Sequence, residues 1–183
     1  GPIVLLAAKI AALRGYSTTC ACPAGDVQMA PTLVYGAQCA EGSIPLSFVP
    51  VSGPEADADA LRGIAAEADG LIIAFDDERL INPEALAVFL PPETRLKHLS
   101  MMSRSLNGKG MGFFANAAKT AANSEIWAGG ASAIAAHREA ERTVTSRAAA
   151  AGVRHTIIRA GTLKGGAAGE AMTGGAGEVS FLN

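Results

Sequence analysis

Apolar residues recur along this chain in two kinds of segment, and the longer segments have the spacing of amphipathic helices. Residues 2–14 are rich in Ala, Leu and Ile, and Gly15 follows where a helix C-terminal glycine belongs. Residues 131–151 form a longer Ala-rich segment that ends at Gly152. Both segments are predicted helices. Shorter helices are predicted at 54–69 and at 83–90.

Five short runs between these helices predict strands, because they are rich in aliphatic or β-branched residues and are bounded by Gly, Pro or polar residues. They cover residues 16–22, 44–51, 70–75, 96–102 and 153–159. The run at 70–75 is continuously apolar and ends at Asp76, which is typical of a central parallel strand. Residues 24–43 are predicted to be loop with at most a short helical turn, and 103–112 to be a glycine-containing loop.

Alternating strands and helices predict an α/β fold: a Rossmann-like, doubly wound, mostly parallel sheet with helices on both faces. Such a domain opens with a strand, whereas this chain opens with a helix, so the first strand is expected to be missing and the chain to be processed or incompletely represented. One domain is predicted over 1–164. A Gly/Ala-rich tail is predicted over 165–183.

The start of the first helix is a candidate phosphate-binding turn. If a strand preceded it, Gly1 would be the middle glycine of a Gly-x-x-Gly-x-x-Gly turn, in which backbone approaches a pyrophosphate at the helix N-terminus. Val4 would then replace the third glycine and weaken the phosphate contact. An ordinary helix N-terminus is the alternative. Cys22 and Pro23 stand where an acid or arginine would select NAD or NADP, so the sequence leaves that choice open.

The charge balance argues against nucleic acid as a partner. The formal net charge is -2 with a pI near 5.9, and no basic block is present. The longest apolar stretch, 2–13, is interrupted by Lys9 and is shorter than the roughly 20 residues of a membrane span. A soluble or peripherally membrane-associated protein is expected.

The three cysteines do not indicate a disulfide framework or a metal site. Cys20 and Cys22 would share one face of a strand, but zinc usually takes four ligands and the histidines lack paired spacing. Small buried thiols are the preferred interpretation, in a reducing compartment.

One segment resembles a known family. Residues 152–163, Gly-Val-Arg-His-Thr-Ile-Ile-Arg-Ala-Gly-Thr-Leu, together with Gly1-Pro2-Ile3 and Gly15-Tyr16-Ser17, resemble the atypical short-chain dehydrogenase/reductases of the NmrA-like, plastid type. Ala160 stands where that family usually has proline. The resemblance implies a Rossmann domain that binds NAD(P) along the carboxyl edge of its sheet. By position, the implied contacts are Gly1, Pro2, Ile3, Phe75, Asp76, Ser100, Met101, Thr162 and Leu163.

The proton relay of the classical short-chain dehydrogenases is missing. It uses a tyrosine with a lysine four residues later, but Tyr16 and Tyr35 are each followed at that spacing by cysteine. No lysine occurs between Lys119 and Lys164. The nearest substitute is His137, one helical turn before Glu141; a surface ion pair is the alternative interpretation.

Arg159, at a strand end, is a further candidate. It could bind an anionic partner or make a structural contact to a neighbouring loop.

These features favour a Rossmann-type protein that has lost or weakened its chemistry and acts as a binding, assembly or structural subunit with protein partners. The resemblance implies an organelle, with a plastid photosynthetic complex favoured. Two alternatives stay open: an NAD(P)H-dependent reductase of a small carbonyl or quinone, with water or His137 supplying the proton, and a dinucleotide-binding sensor.

Overall fold

The computed structural model describes residues 2–35, 40–52, 57–74, 87–91, 93–104 and 130–160. Helices and strands alternate through this part of the chain, which confirms the α/β class. In chain order they are α1 (Pro2–Leu13), β1 (Thr18–Pro23), α2 (Ala24–Leu33), β2 (Leu46–Val51), α3 (Ala58–Glu67), β3 (Gly70–Ile73), β4 (His98–Arg104), α4 (Gly130–Ala150) and β5 (Arg154–Ala160).

The described strands are all paired in parallel, as predicted, but they form two sheets rather than one. β1 pairs with β2 in a two-stranded sheet, and β3, β4 and β5 form a three-stranded sheet in that order. Among the described residues, no strand pairs with the second edge of β1 or of β3. Each sheet has its own cluster of buried side chains.

Both α1 and α2 cover the same face of the two-stranded sheet. Cys20 and Cys22, two positions apart on β1, point to one face and are 3% and 2% exposed. Leu5 of α1 and Ala30 of α2 are buried against these thiols. One face of β1 therefore supports two successive helices.

The three-stranded sheet packs one face against α4. Leu99 and Met101 of β4 are fully buried there, in contact with a cluster that includes Val144 and Ala148 of α4. The opposite face carries Ile72, which is 53% exposed in the described structure. The α4 side is thus the main core of this half of the fold.

Two glycines end helices as the sequence predicts. Gly15 has φ +87°, and the amides of Gly15 and Tyr16 donate to the carbonyls of Ala12 and Ala11. Gly152, with φ +67°, ends α4 in the same hydrogen-bond pattern. A left-handed residue with these two bonds satisfies carbonyls that the helix leaves unpaired, and glycine adopts that conformation without steric cost.

Two local predictions are wrong. Residues 24–33, predicted to be mainly loop, form α2. Gly25 and Pro31 argued against a helix, but burial of Ala30 beside β1 outweighs their low propensity. The predicted loop also begins too early, because β4 continues through Ser103 and Arg104, which pair with β5.

Several predictions fall outside the described residues. They include residues 83–86 of the helix at 83–90, of which residues 87–89 are described and helical, the end of the strand at 70–75 and the tail at 165–183. In the part of the chain that the structure describes, no helix has the length and apolar character needed to cross a membrane.

The packing of β4 against α4 predicts a large difference between two leucines. Leu99→Ala should lower the free energy of unfolding by about 2–5 kcal/mol, because it leaves a cavity in the core. Leu13→Ala is the matched control: Leu13 is 54% exposed, and its truncation should cost about 0.5 kcal/mol or less. Urea unfolding measures both, and equal losses would show that Leu99 is not in a packed core.

Candidate functional site

A polar cluster lies at the carboxyl end of the three-stranded sheet, where β4 and β5 meet α4. Ser103 of β4 and Arg159 of β5 are register partners on neighbouring strands. Arg159 reaches Glu141 of α4, 18 residues away in sequence. The carboxyl edge of a parallel sheet is where α/β proteins place ligands and chemistry, so this cluster is the candidate site.

His137 lies on the buried stripe of α4. It is 6% exposed and precedes Ala140 and Val144, which are 1% and 0% exposed, at spacings of three and seven residues. A helix face of this period points at the sheet. His137 is therefore a buried polar residue beside the apolar core, one helical turn from Glu141.

The strongest polar contact of the cluster joins Arg159 and Glu141. Arg159 Nε donates to both carboxylate oxygens at 3.1 Å, and Nη2 donates to Oε2 at 2.7 Å. The Glu141 side chain is 16% exposed, whereas that of Arg159 is 51% exposed. The carboxylate is thus turned toward the protein, and the guanidinium covers it from the solvent side. This fork-like geometry is the favoured one for an arginine and a carboxylate.

The pair favours the charged state of both partners. Burial raises the pKa of Glu141, but the hydrogen bonds and the charge of Arg159, with a smaller contribution from the nearby Ser103 hydroxyl, bring the pKa below its ordinary value of 4.5. Hydrogen bonding to Glu141 raises the pKa of Arg159 despite an opposing contribution from burial. Glu141 is a poor proton donor in this setting because its ionised form is stabilised.

Ser103 is a site residue that the sequence did not reveal. Its side chain is 1% exposed, and its Oγ makes no hydrogen bond of ordinary geometry, although it lies close enough to Glu141 to favour the carboxylate. The signal that could have found it is its place at the end of an apolar strand. The sequence pattern instead predicts a loop that begins at Ser103, so Ser103 is not recognised as part of the strand.

The predictions about His137, Glu141 and Arg159 need correction. The surface placement of His137 and Glu141 is wrong, because His137 is buried in the helix–sheet contact. Among the described residues, Arg159 makes its structural contact to helix α4. Periodicity gives the spacing of His137 and Glu141 on the helix but not the strand residue that contacts Glu141.

The residues implied to bind the dinucleotide are distributed over both sheets. Pro2 and Ile3 begin α1, which packs on the two-stranded sheet. Ser100 and Met101 are adjacent on β4; Ser100 is partly buried, whereas Met101 is 0% exposed and belongs to the core. Gly1, Phe75, Asp76, Thr162 and Leu163 lie outside the described residues. Dinucleotide binding at these positions stays a prediction.

Val4, expected to disturb a phosphate turn, has a packing role in the structure. Its side chain is partly buried against the cluster that contains Leu5 and Cys20. A glycine here would remove that contact.

The strand thiols are buried, as predicted. Burial raises the pKa of both Cys20 and Cys22, that of Cys20 to about 12. Over the described ranges, no group of three or more His, Cys, Asp or Glu side chains could hold a metal ion. Cys39 lies outside those ranges.

Comparison with models of known protein families gives no match, and comparison with curated proteins gives no significant similarity.

The ion pair predicts a pH-dependent contribution to stability. Because the folded state lowers the Glu141 pKa, the stabilisation is complete above the ordinary value of 4.5 and is lost as pH falls through the lower, folded-state pKa. Glu141→Gln should cost about 1 kcal/mol at pH 7, allowing for screening of the half-exposed Arg159, and the difference from wild type should shrink under acid.

Glu139→Gln is the control for this experiment, because Glu139 contacts Arg142 in a more exposed pair on the same helix. Its cost should stay near zero, about 0.5 kcal/mol at most. Unfolding followed by circular dichroism between acid and neutral pH tests both variants. A Glu141→Gln cost that did not change with pH would contradict the assignment.

Burial of the thiols predicts slow alkylation. In a Cys39→Ser background, Cys20 and Cys22 should react with iodoacetamide at pH 8 at least about 100-fold more slowly in native protein than in urea, since the thiolate is the reacting species. Mass spectrometry of the labelled protein gives the rates. Equal native and unfolded rates would mean that β1 exposes these thiols.

Proposed function

We propose that this chain is a Rossmann-like protein whose dehydrogenase chemistry is lost or weakened, and that it serves as a binding, assembly or structural subunit. The supporting observation is the Arg159–Glu141 contact. The helix that should carry the tyrosine and lysine of the relay instead carries His137, which is buried, and Glu141, whose two oxygens are held by Arg159. Groups committed to such a contact hold two elements together and are not poised for proton transfer.

The finer fold assignment is part of this proposal: the two parallel sheets are the two halves of one doubly wound sheet. In such a sheet a central strand has successive strands on both sides. Here β1 and β3 each have an edge that no described strand occupies, and these edges would flank the central strand.

The handedness of the helical connections supports the same arrangement. Helices α1 and α2 cover one face of the two-stranded sheet. Since connections between parallel strands are right-handed, a strand joined to β1 through α1 would lie on the side of β1 away from β2. That is the unpaired edge of β1 in the described structure.

A plastid location and a photosynthetic complex stay part of the proposal on the resemblance alone. The sensor alternative needs dinucleotide binding without turnover, and cofactor-dependent capture of a defined partner would separate it from a constitutive subunit.

The reductase alternative is favoured by one observation, the buried Ser103 hydroxyl beside Arg159 at the carboxyl edge. A hydroxyl there could orient a carbonyl oxygen, with His137 one turn from Glu141 as the proton source. Hydride transfer itself would be supplied by a bound nicotinamide cofactor.

The subunit proposal predicts no ordinary turnover. Purified protein with NADPH and a quinone or small aldehyde should show a turnover number below about 0.01 per second, far under the usual enzymatic range. Absorbance at the reduced-nicotinamide band follows the reaction, and calorimetry measures NADPH binding. Turnover at ordinary rates would overturn the proposal.

If turnover is found, two histidine variants separate the roles. His137→Ala should then reduce the rate by about 100-fold or more, as expected for loss of a general acid. His155→Ala, an exposed histidine on β5, should leave it unchanged. Equal rates in wild type and His137→Ala would show that His137 does not supply the proton in the reductase mechanism.

A further inference from the structure

A groove between α4 and β5 is separate from the buried part of the cluster just described. We call it the arginine groove: it has a volume of about 840 Å³ and is lined by Arg138, Arg142, Thr145 and Ser146 of α4 and by Ile157 and Arg159 of β5, with Glu141 between them. Its size lies within the range of sites for small ligands.

Helical spacing explains why two arginines and two hydroxyls share this groove. Arg138 and Arg142 are one turn apart, and Thr145 and Ser146 follow Arg142 at three and four residues, so all four side chains lie along one side of α4. Arg159 comes from the adjacent edge of β5. Three guanidinium groups from two rigid elements thus line one groove.

The carboxylates close to the groove do not cancel the charge of its arginines, so the groove stays electropositive. Glu141 is the carboxylate among the lining residues, and Arg159 already binds both of its oxygens. Glu139 contacts Arg142, but that pair is exposed, with 50% and 74% of the two side chains accessible. An exposed i,i+3 pair is worth little, so Arg142 can exchange it for a stronger anion.

The number of donors favours a phosphate over a carboxylate. A carboxylate has two oxygens and is satisfied by one arginine, as Glu141 is by Arg159. A phosphate monoester offers three terminal oxygens and a charge near −2 at neutral pH, which suits several guanidinium groups and neighbouring hydroxyls. Ile157 provides a small apolar surface for the group that the phosphate esterifies.

We propose that the arginine groove binds the phosphate of a small, soluble phosphomonoester, with Arg138 and Arg142 as its cationic ligands and Arg159 paired with Glu141 beside them. The proposal is independent of the subunit function. Donors from one helix and one strand converge on this groove and suit the phosphate of a single small solute, so the experiment must exclude a phospholipid headgroup as the source of the phosphate.

Calorimetry with phenyl phosphate at low salt tests the proposal. Wild-type protein should show saturable binding at one site, and raising the ionic strength should weaken it. Arg142→Ala and Arg138→Ala should each lower the affinity by about tenfold, since each removes a charge-assisted contact. Benzoate, with the same ring and a carboxylate, should bind at least about tenfold more weakly.

Arg62→Ala is the matched control. Arg62 is an exposed arginine of α3 that pairs with Asp59 at the i,i+3 spacing of Arg142 and Glu139. Its removal should change the phenyl phosphate affinity by less than about twofold. Circular dichroism checks that each variant folds. Folding is expected because Arg62, Arg138 and Arg142 are all exposed helix residues.

Four results would overturn the proposal. The first is the absence of phenyl phosphate binding at about 10 mM ligand, and the second is an equal loss of phenyl phosphate affinity in Arg62→Ala and Arg142→Ala. The third is benzoate binding as strong as phenyl phosphate binding. The fourth is binding to vesicles that contain phosphatidic acid without binding to phenyl phosphate.

Discussion

Burial of one stripe of α4 against β4 and β5 is the contact on which the candidate site depends. Ala140, Val144 and Ala148 face Leu99 and Met101 with almost no exposed surface. Small side chains on the helix allow it to lie close to the sheet. That approach brings Glu141, next to the stripe, within hydrogen-bond distance of Arg159. The ion pair is thus a result of the apolar packing and not its cause, since a half-exposed pair alone contributes little.

The sequence predicts the regular elements better than their contacts. α1 and α4 follow from their Ala-rich composition and from Gly15 and Gly152, because a helix and its terminal glycine are determined by neighbouring residues. α2 is missed because Pro31 has a low local propensity for helix and its compensation comes from a distant strand. Local rules fail where tertiary burial decides the conformation.

The site shows the same limit more strongly. Periodicity places His137 and Glu141 one turn apart, but it does not tell that His137 faces the core or that Glu141 faces Arg159. Identification of Ser103 as a site residue depends on where β4 ends, and the end of an element is the least certain part of a pattern-based assignment. Such contacts depend on the register between β4 and β5, which are joined by a long connection and paired by tertiary structure.

The short turn at Gly152 has a consequence for the order in which this half of the protein folds. Val153 donates its amide to the carbonyl of Ala148, so the end of α4 and the start of β5 are joined by contacts that close only a few residues of chain. The pairing of β4 with β5 instead closes a loop of more than 50 residues between His98 and Arg154, at a higher entropic cost. The α4–β5 corner can therefore form early and act as a preassembled surface onto which β4 is added.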